Sequence, residues 1–159
     1  MNGAVLRPAA EEDFDFIRTL DCHISDCELR RKIAAGRVLC VMDGERRCGV
    51  LRWGLFWDNT PFLNLIHLAE PFRRRGLGSR ALAEWEDACR RAGYQLVLTS
   101  TLSNEEAQHF YRRLGYCDCG CLLLPGEPNE LLLRKELGVA VSQGKTGECD
   151  GKTDHRYRF

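Results

Sequence analysis

No stretch of this chain stays apolar for long enough to cross a bilayer, so the sequence offers no membrane-spanning helix. An excess of charge is missing too, since 23 Lys and Arg face 23 Asp and Glu. A general attraction to nucleic acid or to an anionic membrane surface is therefore not expected. The opening Met1–Pro8 has no basic segment followed by a long apolar one, which predicts no secretory leader and a cytoplasmic location. No Gly-Lys-Ser/Thr step follows the glycine turn at Gly76 and Gly78, which excludes a phosphate-binding P-loop there. Neither Cys-x-x-Cys nor a cluster of histidines occurs, so no metal site is expected.

Cysteine, by contrast, is abundant at nine residues. The number is odd, and a chain of this length can bury a core without covalent staples. The thiols are expected to be mostly small buried hydrophobes in a reducing compartment. Cys117, Cys119 and Cys121 alternate at period two, and a regular strand would place all three on one face.

The chain is organised around Arg73-Arg-Arg-Gly-Leu-Gly78 and the amphipathic pattern that it opens. Leu77, Ala81, Leu82, Trp85, Ala88, Cys89 and Ala92 recur at the 3.6-residue period, which predicts a helix with one buried face. A glycine turn feeding a helix start aims free backbone N–H groups and the positive end of the helix dipole at one spot. Such a spot suits a phosphate or pyrophosphate. The glycine turn also makes a phosphate contact the expected role of at least one of Arg73, Arg74 and Arg75, which otherwise read as a solvated charge run.

Apolar patterning places strands at 4–6, 38–42, 48–57, 62–69, 95–101, 116–124 and 130–135. Helices are expected over a segment with Phe14, Ile17, Leu20 and Ile24 on one face, and over 27–35, closed by Gly36. Ser103-Asn-Glu-Glu106 has the capping-box form and opens a last helix bearing Ala107, Phe110, Tyr111 and Leu114. The order is β-α-α-β-β-β-α-β-α-β-β, an α/β (α+β) chain. One domain is expected over 1–137 and a flexible polar tail over 138–159.

Gly76-Leu-Gly-Ser-Arg-Ala81 fits a loose dinucleotide fingerprint, but a dinucleotide fold wants an acidic residue at the end of the next strand. That strand ends in Thr99-Ser-Thr-Leu102 and the first acid is Glu105. Arg73-x-x-Gly76-x-Gly78 before an amphipathic helix instead resembles the acetyl-coenzyme A signature of the GNAT N-acetyltransferase superfamily. Asn104-Glu-Glu-Ala-Gln-His-Phe-Tyr-Arg-Arg-Leu-Gly-Tyr116 resembles its later motif, in the family's order.

This resemblance covers about residues 4–136 and implies a mixed, mainly antiparallel sheet flanked by helices. The sheet would be splayed between its fourth and fifth strands, with acetyl-coenzyme A as cosubstrate in the splay. It implies that backbone N–H groups of Arg74, Arg75, Gly76, Leu77, Gly78 and Ser79 hold the pyrophosphate, with Arg73 beside them. A backbone N–H near Leu68 would receive the developing oxyanion. Tyr111 would protonate the leaving thiolate, the alternative being that it only packs. Asn104 would contact the cofactor or serve the helix start.

Acetyl transfer to an amine needs a group to remove a proton, because a primary amine is mostly protonated near neutral pH. Glu70, at the end of the fourth strand, and His67 are the candidates. By strand parity they face opposite ways, which favours Glu70. His109 and His155 have no expected role. Trp53, Leu55 and Trp57 share a strand face, as core or as a wall of the acceptor site. Asp21, Asp26 and Glu28 are too sparse for the acidic pocket an aminoglycoside would need. The implied activity is N-acetylation of a small-molecule or peptide amine by direct attack, without nucleic acid or membrane as partner; a homodimer stays open. A non-catalytic acyl-coenzyme A sensor is the alternative.

Overall fold

The computed structural model describes residues 5–138. Its elements run β1 (Leu6–Pro8), α1 (Phe14–Arg18), α2 (Asp26–Ala34), β2 (Val38–Asp43), β3 (Arg46–Phe56), β4 (Thr60–Leu68), α3 (Leu77–Arg91), β5 (Leu96–Leu102), α4 (Ala107–Arg113), β6 (Cys117–Leu122) and β7 (Glu130–Glu136). Short 3-10 turns, Glu11–Asp13 and Glu70–Phe72, precede α1 and α3. The expected tail, with His155, lies outside the described residues. Among those described, no helix is long and apolar enough to cross a membrane. No group of three or more His, Cys, Asp or Glu converges there as metal ligands would.

The seven strands form one sheet in the order β1-β2-β3-β4-β5-β7-β6. Every neighbour is antiparallel except β4 and β5. On one face Phe14, Ile17, Leu29 and Ile33 of α1 and α2 pack on Val38, Cys40 and Val50. On the other, Leu82, Trp85 and Cys89 of α3 and Tyr111 of α4 pack on Leu51, Leu63, Val97 and Leu133. Burying side chains of this size contributes on the order of 1.5–3 kcal/mol each. Trp53 belongs to this second face, where its ring meets Trp85 edge-on at 6.1 Å. It is core.

The splay has a local cause. Parallel β4 and β5 pair only at Phe62↔Leu98 and Leu63↔Thr99. Immediately beyond, the β3–β4 register slips, from Trp53↔Leu63 to Arg52↔Leu65, leaving Asn64 as an extra residue in β4. A bulge bends and twists the strand that carries it, so β4 leaves β5 after one short rung. The buried Thr99 hydroxyl donates to the Leu63 carbonyl at 3.1 Å and ties that rung.

Several local expectations are corrected. The helix of Phe14 and Ile17 ends at Arg18, and Leu20 and Ile24 join the core from the following loop. Ser103 does not cap α4. The Glu105 carboxylate turns back to accept from the Thr101 hydroxyl at 2.8 Å and the Leu102 N–H at 3.4 Å, and the helix begins uncapped at Ala107. The three alternating cysteines do not share a face, because β6 has its own bulge. Asp118 pairs with Leu133 and Gly120 with Leu132, so Cys119 is the extra residue and Cys117 and Cys121 point to opposite sides. Among the described residues the cysteines are also mostly exposed: Cys22, Cys27, Cys117, Cys119 and Cys121, against buried Cys40, Cys48 and Cys89. Burial pushes the Cys89 thiol up to about 12, as suits an inert core group.

Asp13 makes the N-terminal corner. Its carboxylate accepts from Arg7 at 2.7 and 3.0 Å, Arg47 at 3.2 Å and the Ala10 N–H at 2.9 Å. That last bond supplies the acceptor an alanine cap cannot offer. Burial alone would raise the carboxyl pKa, but bonds from Arg7, Ala10 and Arg47 outweigh it and hold it at about 2. A depressed carboxylate stabilises the fold above its unfolded pKa near 3.8, and the contribution disappears as pH falls toward 2. Chemical denaturation of the wild type and of Asp13→Asn should therefore differ by about 2 kcal/mol at pH 7 and converge as the pH drops below 3. A constant difference across that range would exclude this linkage.

Candidate active site

Beyond its rung with β5, β4 forms one wall of a cleft of about 550 Å³. The cleft is lined by Ile66, His67 and Leu68 of β4, by Arg73, Arg74, Gly76, Gly78 and Ser79 at the start of α3, and by Ala107, Phe110, Tyr111 and Arg113 of α4. Ala69 N–H donates to Cys48 on β3 at 2.9 Å. Alternation along an antiparallel strand then turns the N–H and C=O of the preceding Leu68 toward the open side.

The α3 start is built for an anion. Gly76 takes a left-handed conformation with φ of 76° as the N-cap, no side chain caps the helix, and no acid sits in its first turn. The first-turn N–H groups have no intrahelical acceptor, so they and the helix dipole meet the cleft unneutralised. Arg74 is also left-handed, with φ of 60°, a strained state for a side chain with a Cβ and one found at ligand clamps. Neither Arg74 nor Arg113 has a carboxylate partner among the described residues. Arg75 turns away to Asp43 at 3.1 Å.

Tyr111 enters from α4, with its ring edge-on to Phe110 at 5.3 Å and to Tyr116 at 5.5 Å. Burial pushes its phenol above the ordinary value of 10, while the Thr99 hydroxyl pulls the other way. A phenol in that state keeps its proton across the physiological range and so can act as an acid but not as a base. The far end of the motif is an anchor. The Tyr116 hydroxyl donates to buried Glu86 of α3 at 2.9 Å, and Lys135 of β7 donates to the same carboxylate at 2.6 Å. This network ties α3 to the α4–β6 corner and to β7.

His67 lines the cleft; Glu70 does not. Glu70 lies beyond β4 in the exposed 3-10 turn, so strand parity does not extend to it. Burial lowers the His67 pKa below 6.5, with Arg73 and His23 adding to the effect and Asp21 opposing it. Leu77 is buried in the core, and Asn104 sits exposed in the turn before α4; neither lines the cleft. His109 is exposed. Asp21, Asp26 and Glu28 form no acidic pocket, each being spent on an arginine: Arg52 at 2.7 Å, Arg18 at 3.0 Å and Arg31 at 3.9 Å. Sequence reasoning missed Ile66, Ala107, Phe110 and Arg113 as lining residues. Arg113 was findable, because Arg113 follows Tyr111 by two positions within the later motif.

The family model described as the acetyltransferase (GNAT) family matches residues 6–116. The chain belongs to the GNAT acetyltransferase family. Its fold is found in a GNAT-family acetyltransferase from Bacillus cereus ATCC 10987, 25% identical with a TM-score of 0.67 over 82% of this chain and 95% of that one. A GNAT acetyltransferase from Elizabethkingia anophelis with acetyl-CoA bound is 15% identical, with a TM-score of 0.65 over 82% of this chain and 96% of its own. The PaiA N-acetyltransferase of Thermoplasma acidophilum, in complex with coenzyme A, is 13% identical, with a TM-score of 0.66 over 82% and 97%. No curated protein sequence matches significantly. Membership of the GNAT family supports acyl-coenzyme A-dependent transfer as the class of chemistry, and the uncapped α3 start fits a pyrophosphate.

Proposed function

We propose that this protein transfers an acetyl group from acetyl-coenzyme A to a primary amine of a small molecule or peptide by direct attack. The observation that carries the proposal is one cleft uniting an uncapped helix start, an open strand edge and a buried phenol that holds its proton. The coenzyme would supply an activated thioester. Backbone N–H groups at Gly76, Gly78 and Ser79 would hold its pyrophosphate, with Arg74 and Arg113, which have no carboxylate partner among the described residues, at the rim.

The amine nitrogen attacks the thioester carbon, and the carbonyl electrons move to oxygen, where the Leu68 N–H faces them. The oxyanion collapses, the C–S bond breaks and Tyr111 gives its proton to the departing sulfur. His67 takes the amine proton, in preference to Glu70. It lies in the cleft and is neutral near pH 7, so its lone pair is available in charge terms.

A thiol-release assay over amines, polyamines, amino acids and peptides tests the proposal. Acetyl-coenzyme A-dependent release that requires one amine class supports it. Tight binding of acetyl-coenzyme A with no release from any amine would identify an acyl-coenzyme A sensor instead.

A further inference from the structure

We propose that Arg73 is a coenzyme-released mask: in the free protein it covers His67 and Leu68, and pyrophosphate at the α3 start draws it off. The inference rests on the acetyltransferase proposal above and concerns how that site is switched on. The Arg73 guanidinium bonds His67 Nε2 at 2.8 Å and, through its own Nε, the Leu68 carbonyl at 2.8 Å. A guanidinium has donors only and does not lose its proton in proteins. The His67 Nε2 must therefore be the acceptor, which places the ring proton on Nδ1 and leaves the imidazole neutral.

This arrangement spends a group the reaction needs. With its Nε2 lone pair engaged, His67 has no site for a proton from the amine. The second bond, to the Leu68 carbonyl, holds the guanidinium in place and leaves the Leu68 N–H uncovered. Both bonds are to uncharged acceptors. A pyrophosphate on the first-turn N–H groups of α3, close along the chain, offers charged ones, with which a guanidinium forms a bidentate ion pair. The exchange favours the phosphate. It frees the base only once the acyl donor is seated, so the amine meets an active base only beside a thioester.

The groups acting on His67 from neighbouring elements are Arg73 from the turn before α3, and His23 and Asp21 from the α1–α2 loop. Asp21 is committed to Arg52 at 2.7 Å and also accepts from the His23 N–H at 3.2 Å. Arg73 is the one of these placed on the imidazole itself.

The test is an NMR titration of the His67 ring in wild type, Arg73→Met and Arg73→Lys, and in wild type saturated with inorganic pyrophosphate. The amides of Gly76 and Gly78 report occupancy. Arg73→Met should raise the titration point by on the order of one pH unit, Arg73→Lys should leave it near wild type, and pyrophosphate should move it toward the Met variant. Equal titration points in wild type and Arg73→Met would overturn the mask. So would pyrophosphate that shifts the Gly76 and Gly78 amides without moving His67. Failure of the acetyltransferase proposal shows separately, as acetyl-coenzyme A that releases no thiol with any amine, whether or not it moves those two amides.

Discussion

Gly78→Glu should weaken coenzyme A binding by at least about 100-fold, or about 2.7 kcal/mol, while the protein melts no lower than wild type. The two halves of that result come from opposite sides of one residue. A Cβ built on Gly78 meets Leu68 Cδ1 at 3.7 Å and Phe110 Cζ at 3.8 Å, ordinary contacts the fold accepts without shifting. A carboxylate in the first turn of α3, which has no acid there, stabilises the helix by about 0.3–1 kcal/mol through its dipole. That same carboxylate then neutralises the site and repels a phosphate, and its stem fills the approach. Gly78→Ala separates bulk from charge and should cost only a few-fold in affinity. Isothermal titration calorimetry and thermal melts of the three proteins decide it, and unchanged affinity in Gly78→Glu would remove the anion site.

Tyr111→Phe should lower kcat by about 100-fold or more and change coenzyme A affinity only a few-fold. Phenylalanine keeps the ring and with it the edge-on contacts to Phe110 and Tyr116. It loses only the hydroxyl, so the expected loss of stability is about 1 kcal/mol. The leaving thiolate then has no donor inside the cleft and must wait for water. Steady-state kinetics with the amine identified by thiol release, set beside direct binding, separates the two effects. Equal turnover would reduce Tyr111 to a packing residue.

Both predictions turn on residues the sequence singled out, and both needed the fold for their sign. Period-3.6 and period-2 patterning gave the element order, because an amphipathic face must match the element's own geometry whatever it packs against. Boundaries were less legible. The Ser103 capping pattern is outcompeted by Glu105 turning back to Thr101, a contact between strand and turn that only exists once β5 is in place. The alternating cysteines lost their common face to the bulge at Cys119, and no residue type there announces it.

Glycine spacing and helix polarity are local properties, so the residues alone marked the turn at Arg73–Ser79 as a candidate anion site and picked out the two motifs that flank the cleft. Long-range contacts settled the rest. The bulge at Asn64 opens β4 from β5. The Glu86 network ties α3 to Tyr116 and to β7. Of the two candidate bases it is His67 that enters the cleft, while Glu70 falls in a turn outside it. Of the three arginines, Arg74 lines the cleft with no carboxylate partner among the described residues, Arg75 leaves for Asp43 and Arg73 covers the imidazole. These outcomes depend on partners distant in the chain, which no run of adjacent residues specifies.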